Sequence, residues 1–145
     1  MTLAGAEKCP SVVVDTNVFI AAAFKPQSAS GLVVEAIRLG TARLVWSDAT
    51  RRETESVLRK IPPISWEAVA DLFQEANRGS SDIDPDTFSS VTDEEDRKFA
   101  ALAASKQAIL VSLDQHLLGA GLDDMCTVCT PRDFLDGMRK RASSG

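Results

Sequence analysis

The stretch SVVVDTN, from Ser11 to Asn17, gives the clearest indication of the fold. Three consecutive valines without polar alternation are typical of a strand that is buried on both faces. We therefore predict that Ser11–Asp15 is a central strand of a parallel sheet. A carboxylate directly after such a run would be desolvated, which is costly unless a positive partner balances it. Asp15 is thus the first candidate functional residue.

The rest of the chain alternates helices with strands. Ser30–Leu39 carries apolar residues close to a 3.6-residue period and precedes Gly40, which is typical of a helix and its C-terminal stop. Ala42–Trp46 and Ala108–Ser112 are short apolar runs that predict strands, and Met125–Cys129 predicts the last strand.

Capping residues predict the remaining helices. A helix capped by Ser47 or Asp48 should run to about Lys60, and another from Ser65 through about Asn77. Residues 79–91 read as a polar loop with room for one short strand.

Two further helices have clear start signals. Thr92–Glu95 matches a capping box before a helix that ends at Lys106, which puts Asp96 in the first helical turn. Thr130–Asp133 places a cap and a proline ahead of a final helix, and we expect Arg139–Gly145 to be frayed.

Strands that alternate with helices predict an α/β fold with three layers, α/β/α, in which helices flank a central parallel sheet. The 145 residues, with 44% hydrophobic content, are expected to form one domain, with a core at about residues 11–138 and frayed termini. Ligands of such sheets bind beyond the carboxyl ends of the strands.

Composition excludes several classes. A net charge of −5 argues against sequence-independent coating of nucleic acid, so a nucleic-acid substrate would need local basic residues or metal ions. No apolar run approaches the roughly 20 residues that span a bilayer, so we expect a soluble, cytoplasmic protein.

The cysteines and the single histidine leave their roles open. Cys9, Cys126 and Cys129 cannot all pair with one another, and free thiols are the simpler interpretation. Together with His116 they would complete four zinc ligands. Residues three apart in a strand point to opposite faces, however, which favours buried thiols over zinc. A lone histidine is more often a surface or packing residue than a catalytic one.

Four acids from distant parts of the chain are directed toward one sheet edge. Asp15 ends the first strand, and Asp114 follows the strand Ala108–Ser112. Asp96 lies in the first turn of the helix that precedes that strand, and Glu53, in the helix after the second strand, can approach the same edge from the side. Each alone could equally be a cap or a solvated charge. Together they repel by about 4 kcal/mol per close pair, unless a cation binds. Ligands that are all oxygen favour Mg²⁺ or Mn²⁺, which support phosphodiester hydrolysis.

The same residues carry a family resemblance. Val13–Ile20 (VVDTNVFI) resembles the opening motif of PIN-domain nucleases, and Ser47–Leu58, Asp93–Ala104 and Leu110–Leu118 resemble the later motifs of that family in order. The ending Thr130–Leu135 is similar to a branch of bacterial toxins from toxin–antitoxin systems, the VapC-like proteins.

By this resemblance, the metal-binding and catalytic acids would be Asp15, Glu53, Asp96 and Asp114. Thr16 and Ser112 would orient these acids, and Asn17 would hydrogen-bond water or a carboxylate beside the metal. The implied activity is metal-dependent cleavage of single-stranded RNA, by a toxin that a co-encoded antitoxin inhibits. Relatives often dimerise, so a homodimer is expected.

The chain departs from the family pattern at two places. His116 stands where many relatives have a second aspartate, which would weaken a second metal site or place an imidazole near the scissile phosphate. Arg51 and Arg52 replace residues that are often apolar, which predicts a more exposed helix. Five basic residues flank the acidic motifs and are candidate RNA contacts, although each alone could be a solvated charge: Lys25, Arg51, Arg52, Lys98 and Arg132.

Two other functions compete with the nuclease. One is a phosphatase-type or phosphoacceptor domain with Asp15 as nucleophile, against which Asn17 argues because aspartate-nucleophile phosphatases resemble Asp-x-Asp there. The other is a catalytically silent PIN scaffold that binds RNA or a protein partner, against which the four acids speak. The RNA target, the cleavage site and the number of metal ions stay open.

Overall fold

The sheet lies at the centre of the structure, a computed structural model that describes residues 9–80, 83–91, 94–119 and 126–144. Its strands are β1 (Ser11–Val14), β2 (Arg43–Leu44), β3 (Ile109–Val111) and β4 (Val128–Cys129). They are parallel and lie in the order β2-β1-β3-β4. The predicted central position of β1 is confirmed, since it pairs with β2 on one side and β3 on the other.

Helices cover both faces of this sheet. They are α1 (Thr16–Phe24), α2 (Ala29–Leu39), α3 (Asp48–Arg59), α4 (Glu67–Ala70), α5 (Glu94–Lys106), α6 (Gln115–Leu118) and α7 (Pro131–Ser144). Ser47 caps α3 through a capping box with Thr50, and Gly40 ends α2 at a φ of 84°. Both signals were read correctly from the sequence.

The core has two parts, one on each side of the sheet. Val12 and Val14 face a cluster built with α1, α2, α3 and α7, whereas Val13 faces a second cluster built mainly with α5. Alternate residues of a strand point to opposite faces, so the valine run of β1 fills both clusters. The predicted three-layer α/β/α fold is confirmed.

The predicted helix from Ser65 to Asn77 is wrong. Only Glu67–Ala70 is α-helical, and a short 3₁₀ segment follows at Glu75–Asn77. The chain turns after Ala70 so that Phe73 can pack among three aromatic rings at centroid distances of 5.3–5.9 Å, those of Phe19, Trp46 and Trp66. Burial of these rings outweighs the local helical preference.

Smaller differences concern the ends of elements. The strand predicted at Ala42–Trp46 is limited to Arg43–Leu44, with one isolated bridge between Trp46 and Arg78. The described part of the loop 79–91 contains a 3₁₀ turn, Pro85–Phe88, in place of the strand we had allowed there. Helix α7 continues to Ser144, where we had expected fraying from Arg139. The predicted cap Thr92 lies outside the described residues.

Candidate metal centre

Asp15 leaves the sheet at the carboxyl end of β1. Its backbone N–H donates to the carbonyl of Val111 at 3.0 Å, which extends the β1–β3 pairing by one residue, and Asp15 then caps α1. Its exposed fraction is only 4%. The strand therefore places a carboxylate in a position at the sheet edge that is almost inaccessible to solvent.

Asp96 and Asp114 meet Asp15 there. Asp114 lies three residues beyond β3 and accepts the first hydrogen bonds of α6 through its carbonyl, at 3.0–3.1 Å from the amides of Leu117 and Leu118. Asp96 lies in the first turn of α5. One carboxylate oxygen from each aspartate lies within 4.8 Å of the others. The structure thus brings together three of the four acids that the sequence singled out.

Ser112 connects two of these aspartates. Its buried Oγ donates to Asp15 Oδ2 at 2.7 Å and accepts the backbone N–H of Asp114 at 3.0 Å. This is the arrangement expected of a residue that orients the acids. Asn17 acts one step further away, because its Oδ1 accepts the backbone N–H of Leu113 at 3.3 Å and so anchors the turn that carries Asp114.

The electrostatics of the site centre on Asp15. Burial raises the pKa of its carboxyl group, the hydrogen bonds from Ser112 and from the Thr16 amide lower it, and the charges of Asp114 and Glu53 raise it again. The balance is a pKa above the ordinary value, so the ionised form is disfavoured without a cation. A donor set of one buried and two half-buried carboxylates, all oxygen ligands, fits a hard divalent ion such as Mg²⁺ or Mn²⁺.

Thr16 was expected to orient the acids, and its side chain does something different. Its hydroxyl shares a hydrogen bond of 2.9 Å with the hydroxyl of Thr54, and both residues are buried. The carboxylate of Asp15 accepts a hydrogen bond from the backbone amide of Thr16. The hydroxyl pair ties α1 to α3 one residue away from Glu53. Sequence reasoning missed Thr54, although Thr50, Thr54 and Leu58 form a buried stripe at four-residue spacing.

Thr54→Val is expected to destabilise the protein by about 1–3 kcal/mol, because it leaves the Thr16 hydroxyl buried without its partner. The double variant Thr16→Val, Thr54→Val should cost less than the two single changes together, since it removes both polar groups. Urea unfolding of the four proteins measures this coupling. Strictly additive losses would contradict it.

Glu53 lies beside the aspartates and is paired with a cation. Its charge acts on Asp15, but its Oε1 lies 3.5 Å from the Lys98 Nζ, and it is not one of the three clustered acids. The fourth predicted ligand is therefore engaged by an ammonium group in this structure.

Of the remaining basic candidates, Arg52 lies near Lys98 and the other three lie elsewhere. Lys25 is exposed at the far end of α1, about 15 Å along the helix from Asp15. Arg51 reaches Glu55 at 3.3 Å and lies 5.2 Å from the ring centroid of Trp66. Arg52 lines a pocket with Glu53 and Lys98. Arg132 is exposed in the first turn of α7.

Two of the cysteines lie on different sides of the sheet, although the strand predicted at Met125–Cys129 is limited to Val128–Cys129 and Cys126 precedes it. Cys126 belongs to the cluster on the α5 side, whereas Cys129 packs against the other cluster. Burial raises the pKa of the Cys129 thiol to about 11, so it stays protonated at neutral pH. The side chain of His116 lies outside the described residues.

A parallel α/β sheet with an acidic cluster at the carboxyl ends of its strands defines a class of α/β proteins suited to a divalent cation. A match to a family model is more specific than this class. Residues 11–116 match the family model of the PIN domain, and the chain belongs to that family. PIN domains are generally nucleases.

Solved structures share the fold. The crystal structure of FitAcB from Neisseria gonorrhoeae is 15% identical over 83% of this chain and 98% of that chain, with a TM-score of 0.55. PAE2754 from Pyrobaculum aerophilum is 18% identical over 92% and 90%, with a TM-score of 0.56. No curated protein matches the chain. In the part of the chain that is described, no helix has the length and apolar character needed to cross a bilayer.

Proposed function

We propose that the protein is a metal-dependent endoribonuclease that hydrolyses phosphodiester bonds in single-stranded RNA, as the toxin of a type II toxin–antitoxin pair. The observation that carries the proposal is the convergence of Asp15, Asp96 and Asp114 within 4.8 Å at the sheet edge, in a chain that belongs to the PIN family. The resemblance to VapC-like toxins supports the choice of RNA.

The roles follow from burial and hydrogen bonding. Asp15, Asp96 and Asp114 would hold Mg²⁺ or Mn²⁺, which when bound supplies positive charge beside the scissile phosphate and the attacking water. Asp15 is the deepest of the three and is fixed by Ser112, whereas Asp96 and Asp114 are half-buried and would be the more accessible to a substrate. Asn17 holds the turn of Asp114 in register with α1. Glu53, which the sequence predicted as a fourth ligand, is paired with Lys98 in this structure.

Wild-type protein is expected to cleave single-stranded RNA with Mg²⁺ or Mn²⁺ and to lose that activity in EDTA, because the aspartates alone would repel the phosphate. Gel assays on labelled single-stranded and duplex RNA, with a chromogenic phosphate monoester as a third substrate, measure the specificity. Hydrolysis of the monoester alone would favour the phosphatase alternative. RNA binding without cleavage under all of these conditions would favour a silent scaffold.

A protein partner is part of the proposal. We expect an antitoxin encoded beside this chain, a homodimer in solution and a cytoplasmic location. Phe24 and Leu32 expose 54% and 46% of their surface, which supports an interface on α1 and α2. Light scattering of the purified chain tests for the homodimer. Co-purification with the product of the adjacent reading frame tests for the antitoxin.

A further inference from the structure

Glu53 and Lys98 form an ion pair between two helices that border the aspartates. The Lys98 Nζ lies 3.5 Å from the Glu53 Oε1, and the two side chains are 23% and 28% exposed. Glu53 belongs to α3 and Lys98 to α5, two residues after Asp96. The pair therefore holds a positive charge next to the proposed cation site, in a partly desolvated position.

The ammonium group of Lys98 changes the net charge that a phosphodiester would meet at the site. Three carboxylates and one divalent ion leave a net charge of −1 (−3 + 2), which still repels a phosphodiester. A fourth carboxylate on the ion would make the balance −2. If Glu53 keeps Lys98 instead, the pair adds no net charge and holds a cation on the helix that carries Asp96.

On that basis, which rests on the proposed function, we propose that Glu53 is a positioning residue for Lys98 and not a metal ligand. Lys98 then binds a phosphate oxygen of the single-stranded RNA next to the aspartates. A lysine ammonium has three N–H donors, so a bond to Glu53 does not exclude a bond to phosphate.

A pocket beside the pair has room for that phosphate. It has a volume of about 290 Å³ and is lined by Ala49, Arg52, Glu53, Ser56 and Lys98. Arg52 offers a second cation, but its side chain is exposed and no ion pair is found for it among the described residues. Lys98 is the preorganised donor of the two, and preorganisation reduces the entropy lost on binding.

The role of Glu53 is tested by Mn²⁺ binding without RNA, followed as the rise in melting temperature over a Mn²⁺ titration. Glu53→Gln alone changes the charge near the ion, so the decisive protein is Glu53→Gln, Lys98→Met, which keeps the net charge of the pair. The Mn²⁺ dissociation constant fitted to that rise should lie within about threefold of wild type. A weakening of tenfold or more in the double variant overturns the proposal, because it identifies Glu53 as a lost ligand.

Glu55→Gln, Lys60→Met is the matched control for that titration. Both changes lie in or directly after α3, and the side chain of Glu55 has the same exposed fraction as that of Glu53, 28%. This control should bind Mn²⁺ as wild type does.

The role of Lys98 is tested by kcat/KM on a single-stranded RNA over a series of salt concentrations. Lys98→Met should lower kcat/KM about tenfold, and its dependence on log salt should be shallower by about 0.7, the value for one phosphate contact in a single strand. Lys98→Arg should recover most of the loss. Lys106→Met, at the other end of α5, should match wild type.

The outcomes separate this inference from the proposed function. If wild type cleaves RNA and Lys98→Met matches it in both rate and salt dependence, the inference is overturned and the nuclease stands. If wild type does not cleave RNA at all, the nuclease proposal and the role of Lys98 both fall, while the Mn²⁺ titration still decides whether Glu53 is a ligand.

Discussion

Asp15→Asn is expected to abolish RNA cleavage while leaving the metal-free protein at least as stable as wild type. Asparagine has nearly the same shape as aspartate, and its amide oxygen can still accept the Ser112 hydroxyl, which lies 2.7 Å from the aspartate oxygen. It carries no charge, so it cannot serve as an anionic ligand, and the burial cost of an ionised carboxylate disappears. Loss of activity without loss of fold is therefore expected.

The pH dependence of stability should report the same carboxylate. Burial raises the folded pKa of Asp15 above its ordinary value of 3.8, so its contribution to stability is fully present below that pH and is lost as the pH rises through the folded pKa. In the metal-free state, wild type should therefore lose stability relative to Asp15→Asn as the pH increases from about 4. Thermal melts in EDTA over a pH series measure this difference.

Metal addition should reverse the ranking. Mn²⁺ at about 100 times its dissociation constant stabilises a binding protein by about 2.7 kcal/mol, which raises the melting temperature of a domain of this size by several degrees. Wild type should show this rise and Asp15→Asn should not. Asp48→Asn, an exposed aspartate paired with Arg78, is the control and should respond as wild type does. Retained cleavage or an unchanged Mn²⁺ response in Asp15→Asn would refute the assignment.

Where a single stretch of sequence determines an element, the fold was predictable. The valine run of β1 is buried on both faces because its composition leaves no polar side, and the caps of α2 and α3 are local hydrogen-bond patterns. The region after Ser65 was mispredicted because its conformation depends on aromatic rings from distant parts of the chain. Phe73 finds Trp46 and Phe19 only after the sheet has formed.

In the candidate site, too, some features could be predicted from the sequence and others could not. Parallel strands present their carboxyl ends on one edge, so the meeting of Asp15 with Asp114 followed from the strand order, and the family motif supplied Ser112. The partners of Glu53 and Thr16, which are Lys98 and Thr54, could not be predicted from the sequence. Both contacts join two helices whose relative rotation is set by core packing. Spacing along one helix specifies a face, but it does not specify which residue of a neighbouring helix meets that face.

Ser112→Ala is expected to lower both kcat/KM and Mn²⁺ affinity by about 10–100-fold, the range found for residues that orient metal ligands. The hydroxyl group of Ser112 serves two acids at once, as a donor to the Asp15 carboxylate and as an acceptor for the Asp114 amide. Its removal takes the 2.7 Å hydrogen bond away from a buried carboxylate, so the pKa of Asp15 should rise further and metal binding should require a higher pH.

The matched control for Ser112→Ala is Ser30→Ala, which removes the hydroxyl of another buried serine from α2, outside the acidic cluster. Both variants delete one buried oxygen, so a general loss of stability would affect them alike, whereas only Ser112→Ala should shift the pH at which Mn²⁺ raises the melting temperature. Melting curves over a grid of pH and Mn²⁺ concentration separate the two effects. If Ser112→Ala bound Mn²⁺ as tightly as Ser30→Ala at every pH, Asp15 would not depend on this hydroxyl for its orientation. The strand geometry of β1 and the Thr16 amide would then have to hold the carboxylate in place.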